Sequence, residues 1–116
     1  MIVGVGVDVV DLQRFRDTLA RTPGVADRLF TPSERDGSEQ TLAAIFAAKE
    51  ALAKALGVPD QLAWHDVEVT HNQHGRPIMT VTDPAFADLS VHVSLSHDGG
   101  VAVATVVVER LSDSPN

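Results

Sequence analysis

The sequence reads FAAKEALAKALG over residues 46–57, and this run closes the strongest helical pattern of the chain. The apolar spacing predicts a helix from about Thr41 to Leu56. Gly57 and Pro59 follow directly, and they predict its end, because glycine suits a left-handed C-cap and proline cannot continue a helix. At least one long helix therefore belongs to the fold.

A single acidic residue, Glu50, lies in the middle of this helix. Its neighbours on the same helical face are small: Ala43, Ala47 and Ala53. Small residues leave space beside the helix, and this favours a ligand site at the Glu50 carboxylate. Lys54 follows one turn later, so a surface ion pair between Glu50 and Lys54 is the alternative interpretation.

The N-terminus predicts a strand at residues 2–8, because valines alternate along it: Val3, Val5 and Val7. The opposite face carries Gly4, Gly6 and Asp8. Two glycines weaken a strand, so they indicate close approach of another backbone or of a ligand. Asp8 is equally suited to cap the following helix or to bind a metal ion, and Asp11 is also suited to the capping role.

The rest of the chain predicts two further helical segments and an antiparallel meander. Leucine and phenylalanine spacing indicates a helix at residues 11–21, and residues 31–34 carry a helix-start signal in which Glu34 is the cap partner of Thr31. Alternation predicts four strands: residues 66–71, 76–82, 91–97 and 101–110. The expected architecture is α+β, with one domain at residues 1–111 and a C-terminal tail at residues 112–116.

Composition excludes several function classes. The 116 residues contain no cysteine, which excludes disulfides and thiolate chemistry, and the net charge of −7 argues against a nucleic-acid binder. Gly4 and Gly6 lack the third glycine of a dinucleotide fingerprint, since Val9 stands at that position. We expect a cytoplasmic protein, because neither a secretory signal nor a membrane-length apolar run is recognisable.

The basic residues are unevenly spread. Five of the nine fall between positions 14 and 35: Arg14, Arg16, Arg21, Arg28 and Arg35. Such a cluster on an acidic protein suits a small docking surface for an acidic partner. An ordinary solvated helix surface is the other interpretation, and the residues alone favour it.

Asp8 and Glu50, with lysines nearby, match what Mg²⁺ needs when it bridges a diphosphate, because that ion takes only one or two protein carboxylates. Spacing alone does not show that the two side chains meet. His97 ends a predicted strand and suits a base, a phosphate ligand or a core residue. The remaining candidate histidines of the hairpin region are interpreted as surface residues: His65, His71 and His74.

Four segments together resemble the holo-acyl-carrier-protein synthase family of 4′-phosphopantetheinyl transferases, in its short trimeric form. They are Gly4-Val5-Gly6-Val7-Asp8 with Arg14 and Phe15 downstream, Phe30-Thr31-x-x-Glu34, the helix from Phe46 to Gly57, and Val93-Ser94-Leu95-Ser96-His97. Trp64-x-Asp66-x-Glu68-Val69 and Gly75-Arg76-Pro77 also fit. The resemblance covers nearly the whole chain and implies a helix-packed antiparallel sheet assembled as a homotrimer.

The resemblance implies transfer of phosphopantetheine from coenzyme A to a serine of an acyl carrier protein, in fatty acid biosynthesis. It implies that Asp8 and Glu50 bind Mg²⁺, that Glu50 or a metal-bound water is the base, and that Lys54 offsets charge on the leaving phosphate. His97 is implied in catalysis and in coenzyme A binding. The other residues implied in the coenzyme A site are Lys49, Gly57, Gly75, Arg76 and Pro77.

The resemblance also gives the basic cluster a purpose, since the carrier is acidic: Arg14, Arg21 and Arg28 become docking candidates. The sequence departs from the family at Ile45, where an arginine usually stands. That departure motivates an alternative, a catalytically weak module that binds coenzyme A or the carrier. A magnesium-dependent diphosphate hydrolase is a third hypothesis.

Overall fold

The computed structural model describes residues 1–58 and 62–111. Pro59, part of the predicted helix end, and the predicted tail at 112–116 lie outside these ranges. Within these ranges the structure has five strands, three α-helices and two short 3-10 turns. In chain order they are β1 (Ile2–Asp11), α1 (Leu12–Arg21), α2 (Val25–Leu29), α3 (Glu39–Leu56), a turn at Trp64–Asp66, β2 (Val67–His71), β3 (Pro77–Val81), a turn at Pro84–Phe86, β4 (Leu89–Asp98) and β5 (Val101–Arg110).

The strands form two antiparallel sheets. One contains three strands in the order β1-β5-β4, and the other is the β2–β3 hairpin. The first strand therefore pairs with the last, with Asp8 opposite Ala104, and Ala104 in turn lies opposite Leu95 of β4. The α+β prediction is confirmed, but the predicted single meander is divided between the two sheets.

Helix α3 packs directly on β1, and the two strand glycines make this approach possible. A Cβ atom at Gly4 would lie 1.8 Å from the carbonyl oxygen of Ala55, and one at Gly6 would lie 2.0 Å from that of Ala51. Any side chain at these positions would have to move the helix backbone. The predicted close approach at the glycines is confirmed, and the approaching group is a backbone.

The alanines of α3 serve this packing. Ala43 and Ala47 are fully buried in the core, so they fill the space beside the helix instead of leaving it open. The interpretation of these two residues as space around a ligand is therefore wrong. Ala53 differs, because it is only half-buried and lines a small cavity of about 50 Å³ together with Glu50.

Side-chain caps explain where the helices begin. Asp11 caps α1, accepting a hydrogen bond of 2.8 Å from the backbone N–H of Arg14, which confirms its predicted capping role. Ser38 caps α3, so the helix begins slightly earlier than predicted, and Gly57 ends it in the left-handed conformation with φ of 70°.

The start signal at residues 31–34 produces turns and no helix, which corrects the sequence prediction. The Glu34 carboxylate does accept the predicted hydrogen bond from the Thr31 N–H, at 2.8 Å. The helical conformation stops there because Ser38 starts a new helix only four residues later, leaving room for one turn.

The outer face of β1, which points away from α3, is apolar and exposed. Val5, Val7 and Val9 are 61%, 52% and 60% exposed. Core contacts lie on the other face, where Gly6 is buried and Asp8 half-buried. Within the described ranges no helix combines the length and apolar character needed to cross a membrane.

Candidate functional site

A cleft of about 360 Å³ opens where β1 ends, between α1 and α3. Asp8 and Glu50 both line it, so the fold brings together the two carboxylates that sequence spacing could not connect. The other walls are mainly apolar, with one arginine at the edge: Val9, Val10, Asp11, Arg14, Phe15, Thr18, Leu29 and Phe46. The cleft is thus a largely apolar groove lined by three acidic residues, Asp8, Glu50 and Asp11, of which Asp11 is the cap of α1.

Asp8 points into the cleft because it shares the inner face of β1 with Gly4 and Gly6, and its side chain is 16% exposed. Its Oδ1 accepts a hydrogen bond of 2.9 Å from the Lys54 ammonium, which also donates to the Val7 carbonyl oxygen at 3.1 Å. Lys54 therefore pairs with Asp8. The alternative interpretation, a surface ion pair between Glu50 and Lys54, is therefore wrong.

The environment of the Glu50 carboxylate disfavours its ionised form. Burial raises its pKa above the ordinary glutamate value, and the nearby Asp8 carboxylate raises it further, while Lys54 lowers it. Both raising effects penalise the ionised form of Glu50. A bound cation would relieve the repulsion between Glu50 and Asp8.

The donor set fits a hard divalent cation. Of the three carboxylates that line the cleft, Asp11 caps α1, which leaves Asp8 and Glu50 for a cation. In residues 1–58 and 62–111 no group of three or more histidine, cysteine or acidic side chains is placed to hold a metal ion. Mg²⁺ is commonly bound by one or two carboxylates, with water and substrate phosphate completing its coordination. Asp8 and Glu50 therefore suit a Mg²⁺ ion whose remaining ligands are water and substrate phosphate. They suit less well a metal whose ligands all come from the protein.

Lys49 lies elsewhere than the sequence analysis expected. Its side chain is 2% exposed, and its ammonium donates to Glu34, Leu29 and Trp64. No N–H remains for a phosphate group, so we do not place the Lys49 ammonium in a coenzyme A site. Burial lowers the Lys49 pKa, and the bond to Glu34 opposes that effect.

The other predicted coenzyme A residues lie outside the carboxylate cleft of the described chain. Gly57 forms the C-cap of α3, and His97 is exposed near the end of β4, opposite Ala102. Arg76 and Pro77 line a separate groove of about 210 Å³ between β3 and β4, next to the exposed Gly75. These residues thus lie at separate places on the surface of the chain and do not converge on Asp8.

The three docking candidates are exposed, and none of the ion pairs found in residues 1–58 and 62–111 involves them. Arg14 and Arg21 are seven residues apart on α1 and thus share a face, and Arg14 also borders the cleft. Arg28 lies on α2. By contrast, Arg16 and Arg35 pair with Glu39 and Asp27.

Sequence reasoning missed the aromatic cluster beside the cleft. Phe46 stacks on Trp64 at 5.6 Å between ring centroids, and Phe15 lies 5.7 Å from Phe46. Phe30 meets Phe15 edge-to-face, with 6.2 Å between the ring centroids. The helical positions of Phe15 and Phe46 indicated core packing, but no local signal places Phe46 next to Trp64.

The three histidines of the hairpin region agree with their interpretation as surface residues, since His65, His71 and His74 are exposed. Ile45, where the family usually has arginine, is 2% exposed and belongs to the hydrophobic core. Its side chain therefore contributes to packing and does not line the cleft.

Comparison with known proteins finds relatives that match nearly the whole chain. A family model described as the 4′-phosphopantetheinyl transferase superfamily matches residues 4–106. The holo-[acyl-carrier-protein] synthase of Frankia alni is 56% identical over 115 residues, which cover 93% of this chain and 98% of that protein.

Solved structures are similar in fold. The Bacillus anthracis holo-(acyl-carrier-protein) synthase, crystallised in complex with CoA (3′,5′-ADP), has a TM-score of 0.83 and 35% identity, covering 96% of this chain and 99% of that one. The acyl carrier protein synthase of Mycobacterium tuberculosis has a TM-score of 0.78 and 36% identity, with 96% and 100% coverage. On the extent of the family match and the identity to its curated relatives, this chain belongs to the 4′-phosphopantetheinyl transferase superfamily.

Proposed function

We propose that the protein is a holo-[acyl-carrier-protein] synthase, which transfers 4′-phosphopantetheine from coenzyme A to a serine of an apo acyl carrier protein and releases 3′,5′-ADP. The observation that carries the proposal is the pairing of Asp8 and Glu50 in one cleft of a chain 56% identical to a synthase of that name. The coenzyme A complex of the Bacillus anthracis relative supports the choice of donor.

Asp8 and Glu50 would hold Mg²⁺ in this proposal. The ion, when bound, supplies charge neutralisation on the diphosphate oxygens of the donor. Glu50 accepts the proton of the carrier serine, directly or through a water, as the serine oxygen attacks the phosphorus next to pantetheine. Its raised pKa suits this role, because a base works best when its pKa lies closer to the working pH.

Lys54 stabilises the leaving group. Its ammonium lies at the carboxylate end of the cleft, 2.9 Å from Asp8 Oδ1, and its side chain is 55% exposed. It can thus turn toward the phosphate of 3′,5′-ADP as the bond between the two phosphates breaks. Of the two lysines in the helix, only Lys54 combines exposure with a position at the cleft.

We propose that the active form is a homotrimer whose coenzyme A sites lie between neighbouring subunits. The exposed valine face of β1 supports self-association, since exposed apolar surface of this kind commonly marks a protein interface. The positions of His97, Gly57 and the Gly75-Arg76-Pro77 turn outside the cleft are consistent with donor contacts shared between two copies. In that arrangement His97 approaches the donor phosphates from a neighbouring subunit.

The carrier docks on the exposed basic face that Arg14 and Arg21 form on α1, with Arg28 beside it on α2. Arg14 borders the cleft, so a carrier held there presents its serine to the carboxylates. The implied pathway, fatty acid biosynthesis, and the cytoplasmic location stay predictions. No observation on the described residues favours a weak binding module, because Ile45 lies in the core.

The test is a mass measurement on an apo carrier incubated with the protein, coenzyme A and Mg²⁺. We expect the carrier to gain the mass of one phosphopantetheine, and to gain nothing when Mg²⁺ is chelated or when its acceptor serine is replaced by alanine. Binding without a mass gain would support the binding module. Breakdown of coenzyme A in the absence of carrier would support the hydrolase.

A further inference from the structure

Two charged side chains are buried outside the cleft, and the proposed chemistry uses neither of them. They are Lys49 and Glu34, which are 3% exposed as residues and are the buried charged residues of the described ranges. Their salt bridge measures 2.7 Å between Lys49 Nζ and Glu34 Oε1. Removing charges from water is costly, so a buried pair needs further hydrogen bonds to be tolerated.

Each partner of this pair is fully hydrogen-bonded. Lys49 Nζ donates to the carbonyl oxygens of Leu29 at 2.8 Å and Trp64 at 3.0 Å, in addition to Glu34. The Glu34 carboxylate also accepts from the backbone N–H groups of Thr31 at 2.8 Å and Val69 at 2.7 Å. The pair thus joins α3 to the end of α2, the following loop, the Trp64 turn and β2.

Lys49 is the residue directly before Glu50 on α3. Adjacent side chains of an α-helix point about 100° apart, so fixing one of them fixes the rotation of the helix at the other. On its sheet side the helix is held by contact with Gly4 and Gly6 at the backbone of Ala51 and Ala55. Glu50 enters the cleft between these two attachments.

We infer that Lys49 is a positioning residue, whose buried ion pair with Glu34 sets the rotation of α3 and thereby the direction of the Glu50 carboxylate in the cleft. The inference rests on the proposed role of Glu50. A helix rotation of about 10° moves a carboxylate some 6 Å from the axis by about 1 Å. A misplacement of about 1 Å at a reacting centre can reduce the rate about 100-fold.

The competing interpretation is that the pair only stabilises the fold. Replacing a buried ion pair by uncharged residues of similar volume is often neutral for stability, whereas removing one partner is strongly destabilising. The double variant Lys49→Met/Glu34→Gln therefore removes the ion pair with the better chance of folding. Lys49→Met alone is the second variant.

Arg35→Met is the matched control. Arg35 ties the same loop to its surroundings by donating to the carbonyl oxygens of Phe30 at 3.1 Å and Asp27 at 3.0 Å. Those hydrogen bonds reach neither α3 nor Glu50. The control therefore loses hydrogen bonds of this loop without touching the helix that carries the carboxylate.

Three measurements separate the interpretations: thermal unfolding, direct Mn²⁺ binding followed by the EPR signal of the free ion, and kcat with saturating carrier and coenzyme A. For the double variant we expect Mn²⁺ affinity to fall about 10-fold and kcat to fall between about 10- and 100-fold. Arg35→Met should change the unfolding temperature alone. A crystal structure of the double variant should show the Glu50 carboxylate displaced relative to the unmodified protein.

The inference is overturned when the folded double variant retains the unmodified protein's Mn²⁺ affinity, kcat and Glu50 position. A lack of phosphopantetheine transfer by the unmodified protein would instead contradict the proposed function. In that case the Glu50 position and the Mn²⁺ comparison still decide whether Lys49 orients the carboxylate. A protein that binds no Mn²⁺ leaves the decision to the crystallographic position of Glu50.

Discussion

Glu50 combines a functional position with an unfavourable environment. Its carboxylate is partly desolvated and lies near the Asp8 carboxylate, and both effects raise its pKa in the folded protein. The unfolded chain has neither effect, so Glu50 ionises there at its ordinary value of about 4.3. Between that value and the raised folded value, the folded protein binds more protons than the unfolded chain. The Glu50 contribution to stability therefore falls as pH rises through this window.

Glu50→Gln should consequently do two things. In EDTA at pH 7 we expect the variant to unfold at a higher temperature than the unmodified protein. The difference should shrink as the pH falls from the raised folded pKa toward the ordinary value of about 4.3. We also expect turnover to drop about 100-fold or more, because Gln cannot accept the serine proton. Thermal unfolding followed by Trp64 fluorescence between pH 4 and 8, together with the transfer assay, provides the measurements.

Mg²⁺ provides the control for this prediction. It should raise the unfolding temperature of the unmodified protein and have little effect on Glu50→Gln, because a ligand stabilises only the form that binds it. A variant that unfolds at a lower temperature than the unmodified protein at pH 7 would contradict the electrostatic argument. Near-normal turnover would contradict the metal assignment.

At the scale of the element, the face of α1 determines what Arg14 can do. Arg14→Glu should raise the KM for the carrier more than the KM for coenzyme A, because the basic face meets an acidic partner, whereas the other residues proposed to contact the donor lie away from α1. The effect should weaken at higher salt, as expected for exposed charges. Initial rates measured with each substrate varied in turn, at low and moderate salt, test it.

Arg16→Glu is the matched variant for Arg14→Glu. Arg16 lies on α1 two residues later, about 200° around the helix, and its guanidinium pairs with Glu39 at 3.2 Å. We expect it to leave the carrier KM almost unchanged. If both substitutions raised the carrier KM equally, carrier binding would depend on the net charge of the protein and not on the face of α1 that carries Arg14.

The contact between β1 and α3 is also a property of elements. Gly6→Ala adds a methyl group that would lie 2.0 Å from the Ala51 carbonyl oxygen, so the helix must move away from the strand. We expect a loss of about 3 kcal/mol or more in unfolding free energy, at the upper end of overpacking costs. Denaturant titration measures this loss, and the displaced Glu50 should reduce transfer as well.

Gly75→Ala separates crowding from backbone strain. Gly75 has φ of 80°, and a Cβ there meets no atom within 4 Å, so only the left-handed conformation is penalised, by about 1 kcal/mol. A Gly6→Ala variant no less stable than Gly75→Ala would contradict the close packing of α3 on β1.

The sequence predicted elements better than their contacts. The limits of α1, α3 and β5 follow from local signals such as Asp11, Gly57 and alternating valines, and they agree with the structure within a few residues. Helix α2 was not located, because five residues after Gly24 are too few for a periodic pattern. The Lys49–Glu34 pair and the burial of Ala47 depend on distant partners, which no local pattern reports.

At the scale of the whole molecule, the same limit applies to the site. Asp8 and Glu50 each looked ambiguous alone, and the cleft exists only because β1 pairs with β5 and packs on α3. The family resemblance implied that Asp8 and Glu50 share one metal site, and the structure places both in one cleft. It did not reveal that all three N–H groups of the Lys49 ammonium are used in buried contacts, since a lysine at this position matches the family motif whether it faces a ligand or the core.

The exposed valine face carries the last prediction, which concerns assembly. On β1, Val5, Val7 and Val9 are more than half exposed, and in the register of the sheet Val7 lies opposite Thr105 and Val9 opposite Val103. We expect Val7→Asp to convert the proposed trimer to monomers, because a charge buried in an apolar interface has no partner there. Sedimentation analysis measures the mass. Transfer activity should fall with it, because donor sites between subunits would be lost, while the circular dichroism of the sheet and helices stays unchanged.

Thr70→Asp, at an exposed position of β2 in the other sheet, is the control and should keep both mass and activity. A Val7→Asp protein that is monomeric yet fully active would show that one chain completes the site, and an unmodified protein that sediments as a monomer would remove the trimer altogether.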